Sequence, residues 1–291
     1  FGEKRMKRIV LTTESGTDLT RDHADRLGIR VIPMYVAMGD ETREDGSFPV
    51  TEVFDYYRRT RSVPTTSAVN PQEYVTCFRE LREQYPEADI VHIAYTSLAS
   101  STYQNCRIAL EELGDPQIFL VDSLNVSGGI SLICEKAAEL LPFCADGEEL
   151  AAKLETWISR ARVSFLPNTL EYLKAGGRVS NAAYLGATLL NIKPLIVIKD
   201  GRLVASKKYR GRMEQIAFKY LEEFVRENRL DRSLLYLFCV DGFSPDLMER
   251  LREHAAGLGF QRILETRCGC VIACHGGPGA LGIAGFEAEG E

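Results

Sequence analysis

Between residues 8 and 141, apolar runs of strand length alternate with segments of helical spacing. That alternation limits this part of the chain to βα units around a mainly parallel sheet. The spacing predicts strands at 9–11, 31–36, 89–95 and 118–121, and helices at 53–61, 74–84, 103–113 and 127–141. A further helix at 148–161 reads as a bridge. Beyond it, strands at 193–199 and 203–209 flank Asp200-Gly201, a strong hairpin signal. Helices at 213–228 and 245–258 then alternate with strands at 234–240, 262–266 and 270–274. The expected fold class is α/β with two domains. One is an N-terminal, mainly parallel sheet domain over 6–150, and the other a C-terminal α/β domain with a mixed sheet over 151–291.

In parallel α/β sheets ligands sit beyond the carboxyl ends of the strands, so the polar residues after each strand carry the functional signal. Thr12-Thr13-Glu14-Ser15, Pro64-Thr65-Thr66-Ser67, Thr96 to Thr102 and Asp122-Ser123 are the segments to read. Asp122 and Ser123 fit helix capping. The 96–102 segment holds Thr96, Ser97, Ser100, Ser101 and Thr102, more hydroxyls than one cap can use. With the N–H groups of a helix start, they suit an anion. Thr65, Thr66 and Ser67 are also spare. The next helix has its own signature in Asn70, Pro71 and Glu73, leaving them as a simple turn or as ligand contacts. Near the end, His275 reads as the end of a strand, followed by a glycine-rich loop that lets backbone approach a ligand.

The net charge of −6 over 291 residues, with no dense Lys/Arg run, argues against a nucleic-acid partner. No apolar stretch reaches the length of a membrane span and no secretory signal heads the chain, which points to the cytoplasm. Residues 1–5 read as an appended start ahead of Met6. The eight cysteines lie mostly in apolar segments and read as buried thiols. Cys268, Cys270, Cys274 and His275 match no common zinc spacing, so no metal is expected. Gly277-x-Gly279-x-x-Gly282 spells a dinucleotide fingerprint, but the nine residues after it cannot supply the helix, strand and acid that fingerprint needs. There is no Gly-x-Ser-x-Gly elbow, Walker loop or Cys-x-x-Cys. A Ser/Thr-His hydrolase or acyl-transfer enzyme built on His275 remains the alternative to a binding protein.

Seven ordered motifs then set the chain beside a known family. They are Thr13-Glu14-Ser15-Gly16-Thr17-Asp18-Leu19, Pro64-Thr65-Thr66-Ser67, Ser100-Ser101-Thr102-Tyr103-Gln104, Gly176-Gly177-Arg178-Val179-Ser180, Ile192-Lys193-Pro194, Arg210-Gly211-Arg212, and His275-Gly276-Gly277-Pro278-Gly279-Ala280-Leu281-Gly282. Together they resemble the DegV family of bacterial fatty-acid-binding proteins. The resemblance implies a long-chain fatty acid, with no cofactor, in a tunnel between two α/β domains. Its carboxylate would be held at Thr66 and Thr96, with Ser67, Ser97 and His275 close by. It further implies a carrier that catalyses nothing itself and presents the acid to a separate fatty acid kinase. Arg178, Arg210 and Arg212 read as a docking surface or pocket mouth, or as solvated arginines. Glu14 and Ser101 depart from the family pattern, which usually has Asp and Gly there.

Overall fold

The chain opens with a run whose residues are buried on both faces, as a central parallel strand requires. In the computed structural model, which describes residues 6–186 and 191–290, this run is β1 (Ile9–Glu14). The expected appended start, residues 1–5, lies outside the described residues. The elements that follow are α1 (Arg21–Leu27), β2 (Ile29–Ile32), β3 (Tyr35–Met38), β4 (Glu41–Glu44), α2 (Thr51–Thr60), β5 (Thr65–Ser67), α3 (Pro71–Gln84) and β6 (Asp89–Ala94). Next come α4 (Thr102–Leu113), β7 (Ile118–Asp122), α5 (Gly128–Leu140), α6 (Gly147–Arg160), β8 (Ala161–Leu166) and α7 (Glu171–Gly176). The chain ends with β9 (Ile192–Lys199), β10 (Arg202–Arg210), α8 (Met213–Glu227), β11 (Leu230–Cys239), α9 (Pro245–Gly257), β12 (Arg262–Arg267), α10 (Cys270–Gly276) and β13 (Leu281–Glu287).

Among the described residues these strands form three sheets. The first is parallel throughout, in the order β2-β1-β6-β7. The second is mixed, in the order β10-β9-β8-β13-β11-β12, with only β11 and β12 parallel. The third is a small antiparallel sheet, β4-β3-β5. The two-domain α/β class expected from the sequence is therefore the class observed. α5 lies between the two large sheets, and the seven residues Gly128 to Cys134 are all buried, as expected of a helix apolar all round. Ile130, Leu132 and Ile133 are fully buried there, each worth about 1.5–3 kcal/mol. One hydrophobic core joins the facing sides of both sheets, and a second lies behind the mixed sheet under α8 and α9.

Several expectations need correction. The run 31–36 is not one strand: Pro33 separates β2 from β3, which enter different sheets. Proline has no N–H to donate and a fixed φ, so the chain leaves the β2 ladder there. Thr12, Thr13 and Glu14 belong to β1 itself and are buried, and Thr65 to Ser67 form β5 and not a turn. The helix at 148–161 stops at Arg160, and β8 begins at once, with no turn residues to announce it. Residues 270–274 are helix α10, so His275 sits on the last turn of a helix and not at the end of a strand. The stretch read as a glycine-rich loop after His275 runs at Leu281 into β13, a central strand. Asp122 caps no helix: its Oδ1 accepts from the N–H groups of Ser97 (3.2 Å) and Leu124 (3.0 Å). The Asn70–Glu73 capping box and the β9–β10 hairpin are both as predicted. Asp200 (φ 49°) and Gly201 (φ 79°) supply the two positive angles of a two-residue turn.

Candidate functional site

Glu14, the last residue of β1, organises the carboxyl end of the parallel sheet. Its Oε1 accepts from His92 Nε2 at 2.6 Å and from the Tyr74 hydroxyl at 2.5 Å, and its Oε2 accepts from the Tyr95 N–H at 3.0 Å. With Nε2 donating, His92 Nδ1 faces the Thr12 hydroxyl at 2.7 Å. Burial and the Glu14 charge push the Tyr74 phenol well up, so it stays a donor. This closed network fixes the point where β6 gives way to the 96–102 loop.

In that loop Thr96 is fully buried, and its hydroxyl donates to the Gly201 carbonyl at 2.7 Å, across to the β9–β10 hairpin tip. The Ser97 backbone is braced by Asp122, while its hydroxyl makes no hydrogen bond among the described residues. Ser100 and Thr102 bond each other and shape the helix start. Arg178, exposed after α7, donates to the carbonyls of Ala99 (3.1 Å) and Gly176 (2.8 Å), tying the same loop to the mixed-sheet unit.

Alternation in β5 points Thr66 inward and leaves Thr65 and Ser67 exposed. Thr66 Oγ1 lies 2.8 Å from His275 Nε2. The other ring nitrogen, Nδ1, is buried without a partner among the described residues, pressed against Gly176, where a Cβ would come within 2.4 Å of it. A proton on Nδ1 would be stranded against carbon, so the favoured tautomer carries it on Nε2 and donates to Thr66. The Thr66 hydroxyl proton is then free for another acceptor. Burial, helped by the Arg178 charge, lowers the His275 pKa to about 4, so the ring is neutral near pH 7.

Two carboxylates anchor the start of α10, the helix that carries His275. Asp18 Oδ1 accepts from Gly269 N (2.7 Å) and Oδ2 from Ser127 Oγ (2.5 Å), while Asp45 Oδ1 accepts from Cys270 N (2.8 Å). Desolvation raises both acids, Asp18 to about 7. α10 is therefore held at its start by Asp18 and Asp45 and at its end by Thr66.

A narrow, mainly apolar cavity of about 40 Å³ lies between the sheets. Its walls include Tyr95, Val126, Phe165, Leu203, Phe238 and Ile272, and His275 opens part of its ring onto it. Thr66 reaches this cavity through His275. Thr96 and Ser97 directly follow its wall residue Tyr95 but are not themselves wall residues. Ser67, Arg210 and Arg212 are exposed and outside the cavity wall. Asp18, Asp45 and Tyr95 carry no individual signal in the sequence beyond the motif that contains Asp18, whereas Glu14 stands out in the segment after the first strand and as a departure from the family pattern. The arrangement offers neutral donors beside an apolar hollow, with one exposed arginine near the hydroxyl loop. The Thr66–His275 pair has no acid orienting Nδ1, as a nucleophile–base–acid relay would need.

Comparisons with known proteins identify the family and the fold. A DegV domain-containing protein from Deinococcus radiodurans is 29% identical over 279 residues, covering 95% of this chain and 97% of the relative. A fatty acid-binding protein from Thermotoga maritima is 28% identical, covering 94% and 96%. A solved DegV family protein from Thermus thermophilus, described for its fatty acid binding, superposes with a TM-score of 0.86 at 31% identity, over 97% of this chain and all of that one. The profile of the family described as "Uncharacterised protein, DegV family" matches residues 8–288, and the chain belongs to that family.

Proposed function

We propose that this chain binds a long-chain fatty acid, with the acyl chain entering between the two sheets by parting the apolar lining of the narrow cavity there, and the carboxylate at the Thr66–His275 end. The observation that carries this reading is an apolar cavity on whose wall a half-buried, neutral histidine is paired with a threonine hydroxyl. Relatives described as fatty-acid-binding support it. Burying some 14 methylenes at about 0.8 kcal/mol each offers on the order of 11 kcal/mol before ordering costs. The tail thus supplies affinity, and neutral O–H donors need only orient the carboxylate. Thr66 and Ser97 have a free hydroxyl proton for it, and Thr96 joins them by releasing the Gly201 carbonyl. Ser67, next to Thr66 but on the exposed face of β5, would reach the head group only through its backbone.

In this reading the protein is a cytoplasmic carrier with units 6–150 and 151–291 around a lipid tunnel. It presents the head group to a separate fatty acid kinase. Arg178, beside the hydroxyl loop, supplies the cationic docking contact, whereas Arg210 and Arg212 lie at and just past the end of β10, far from the hairpin tip that meets Thr96. Denaturing the purified protein and extracting it for mass spectrometry tests the reading. A stoichiometric fatty acid is expected; no copurified lipid and no affinity for any C14–C20 acid would overturn it. Thr66→Ala and Thr96→Ala should each weaken binding roughly tenfold, the loss of one hydrogen bond to a charged group, without unfolding the protein. Unchanged affinity in the double variant would place the head group elsewhere.

A further inference from the structure

Tyr95 is an unexplained polar residue on the cavity wall. It is 8% exposed and lines the cavity, yet its hydroxyl makes no hydrogen bond among the described residues. A phenol on an apolar wall with no partner among the described residues keeps its O–H available to a ligand. The nearby Asp18 carboxyl is already taken by Ser127 and Gly269.

The ring is fixed before any ligand arrives. Its edge packs on Gly16, where a Cβ would come within 2.8 Å of Cδ2, and on the Met34 side of the same gap. Its backbone N–H is held by Glu14. It directly precedes Thr96 and shares the cavity with His275, and the Arg178 charge acts on both rings. We propose that the Tyr95 hydroxyl is a further hydrogen-bond donor to the ligand carboxylate, preorganised by Glu14. Burial keeps the phenol protonated, so it donates over the whole working pH range.

This inference rests on the fatty-acid reading, and the two fail differently. With delipidated full-length protein, hexadecanoate and 1-hexadecanol affinities are measured for wild type and Tyr95→Phe. The variant should bind hexadecanoate about tenfold or more weakly, as expected for a hydrogen bond to a charged group, and 1-hexadecanol nearly unchanged. Equal or tighter hexadecanoate binding would make Tyr95 a mere wall and overturn the proposal. So would a loss seen with 12-hydroxyoctadecanoate but not octadecanoate, which would move its partner to the acyl chain. Wild type that binds no acid at all would overturn the fatty-acid reading instead. In unsubstituted protein, the Tyr95 13Cζ resonance should shift with hexadecanoate and not with 1-hexadecanol. A resonance unmoved by hexadecanoate would equally count against the proposal.

Discussion

Glu14 shows how much one buried side chain can set. Three donors converge on its carboxylate, from β6 (His92), α3 (Tyr74) and the backbone of Tyr95. A carboxylate is the one group there that can accept from all three without presenting a proton of its own. In Glu14→Gln the amide NH2 must face one of those donors, leaving a buried N–H or O–H unmet. The expected loss is about 2–4 kcal/mol, read from the urea midpoint at pH 7. Glu14→Asp keeps the charge but is one methylene short, and should lose less. If Glu14→Gln costs under about 0.5 kcal/mol, the network is not what holds the β6 end.

At the scale of elements, β13 explains why part of the fold was hidden. Its Gly282 faces the Phe238 ring, where a Cβ would come within 2.1 Å, and Gly128 on α5 faces the same ring at 2.2 Å. Those glycines make room for an aromatic wall of the cavity, and Gly282 also erases the alternation by which a strand is read. Gly282→Ala should therefore push Phe238 out of place and cost about 1–3 kcal/mol by overpacking. Adding Phe238→Ala should give a double variant less destabilised than the sum of the singles. Strict additivity in denaturant titrations would show that the two residues do not compete for space. The same contrast runs through the chain. The α3 cap was legible because Asn70 and Glu73 act within one turn. α10 was not, because five apolar residues fit strand or helix, and its capping carboxylates come from 251 and 225 residues away. The hydroxyl-rich loop was legible by composition. The Thr66–His275 pairing, 209 residues apart, was expected only from the family resemblance.

For the molecule as a whole, α10 is the link whose charge state matters, since Asp18 and Asp45 hold its start and His275 its end. The two ends respond to pH in opposite directions. The His275 pKa falls from 6.5 unfolded to about 4 folded, so the unfolded chain takes up the proton first. That contribution is fully present above about 6.5 and is lost as pH falls toward 4. The Asp18 pKa rises from 3.8 to about 7, so the folded chain keeps its proton longer. Its contribution is fully present below about 3.8 and is lost as pH rises through 7, and Asp45, also raised by desolvation, adds to it. Each proton changes stability by at most about 1.4 kcal/mol per pH unit, so between pH 4 and 6.5 the His275 slope offsets that of Asp18, and Asp45 tips the balance toward a decline. Asp18→Asn should remove its share of the falling slope, shifting the change in stability across that interval upward by on the order of 3 kcal/mol relative to wild type. His275→Gln should do the reverse and steepen the decline toward pH 7. Urea titrations at half-unit steps from pH 4 to 8 decide the matter: curves for both variants running parallel to wild type would mean that α10 is not held through these protons.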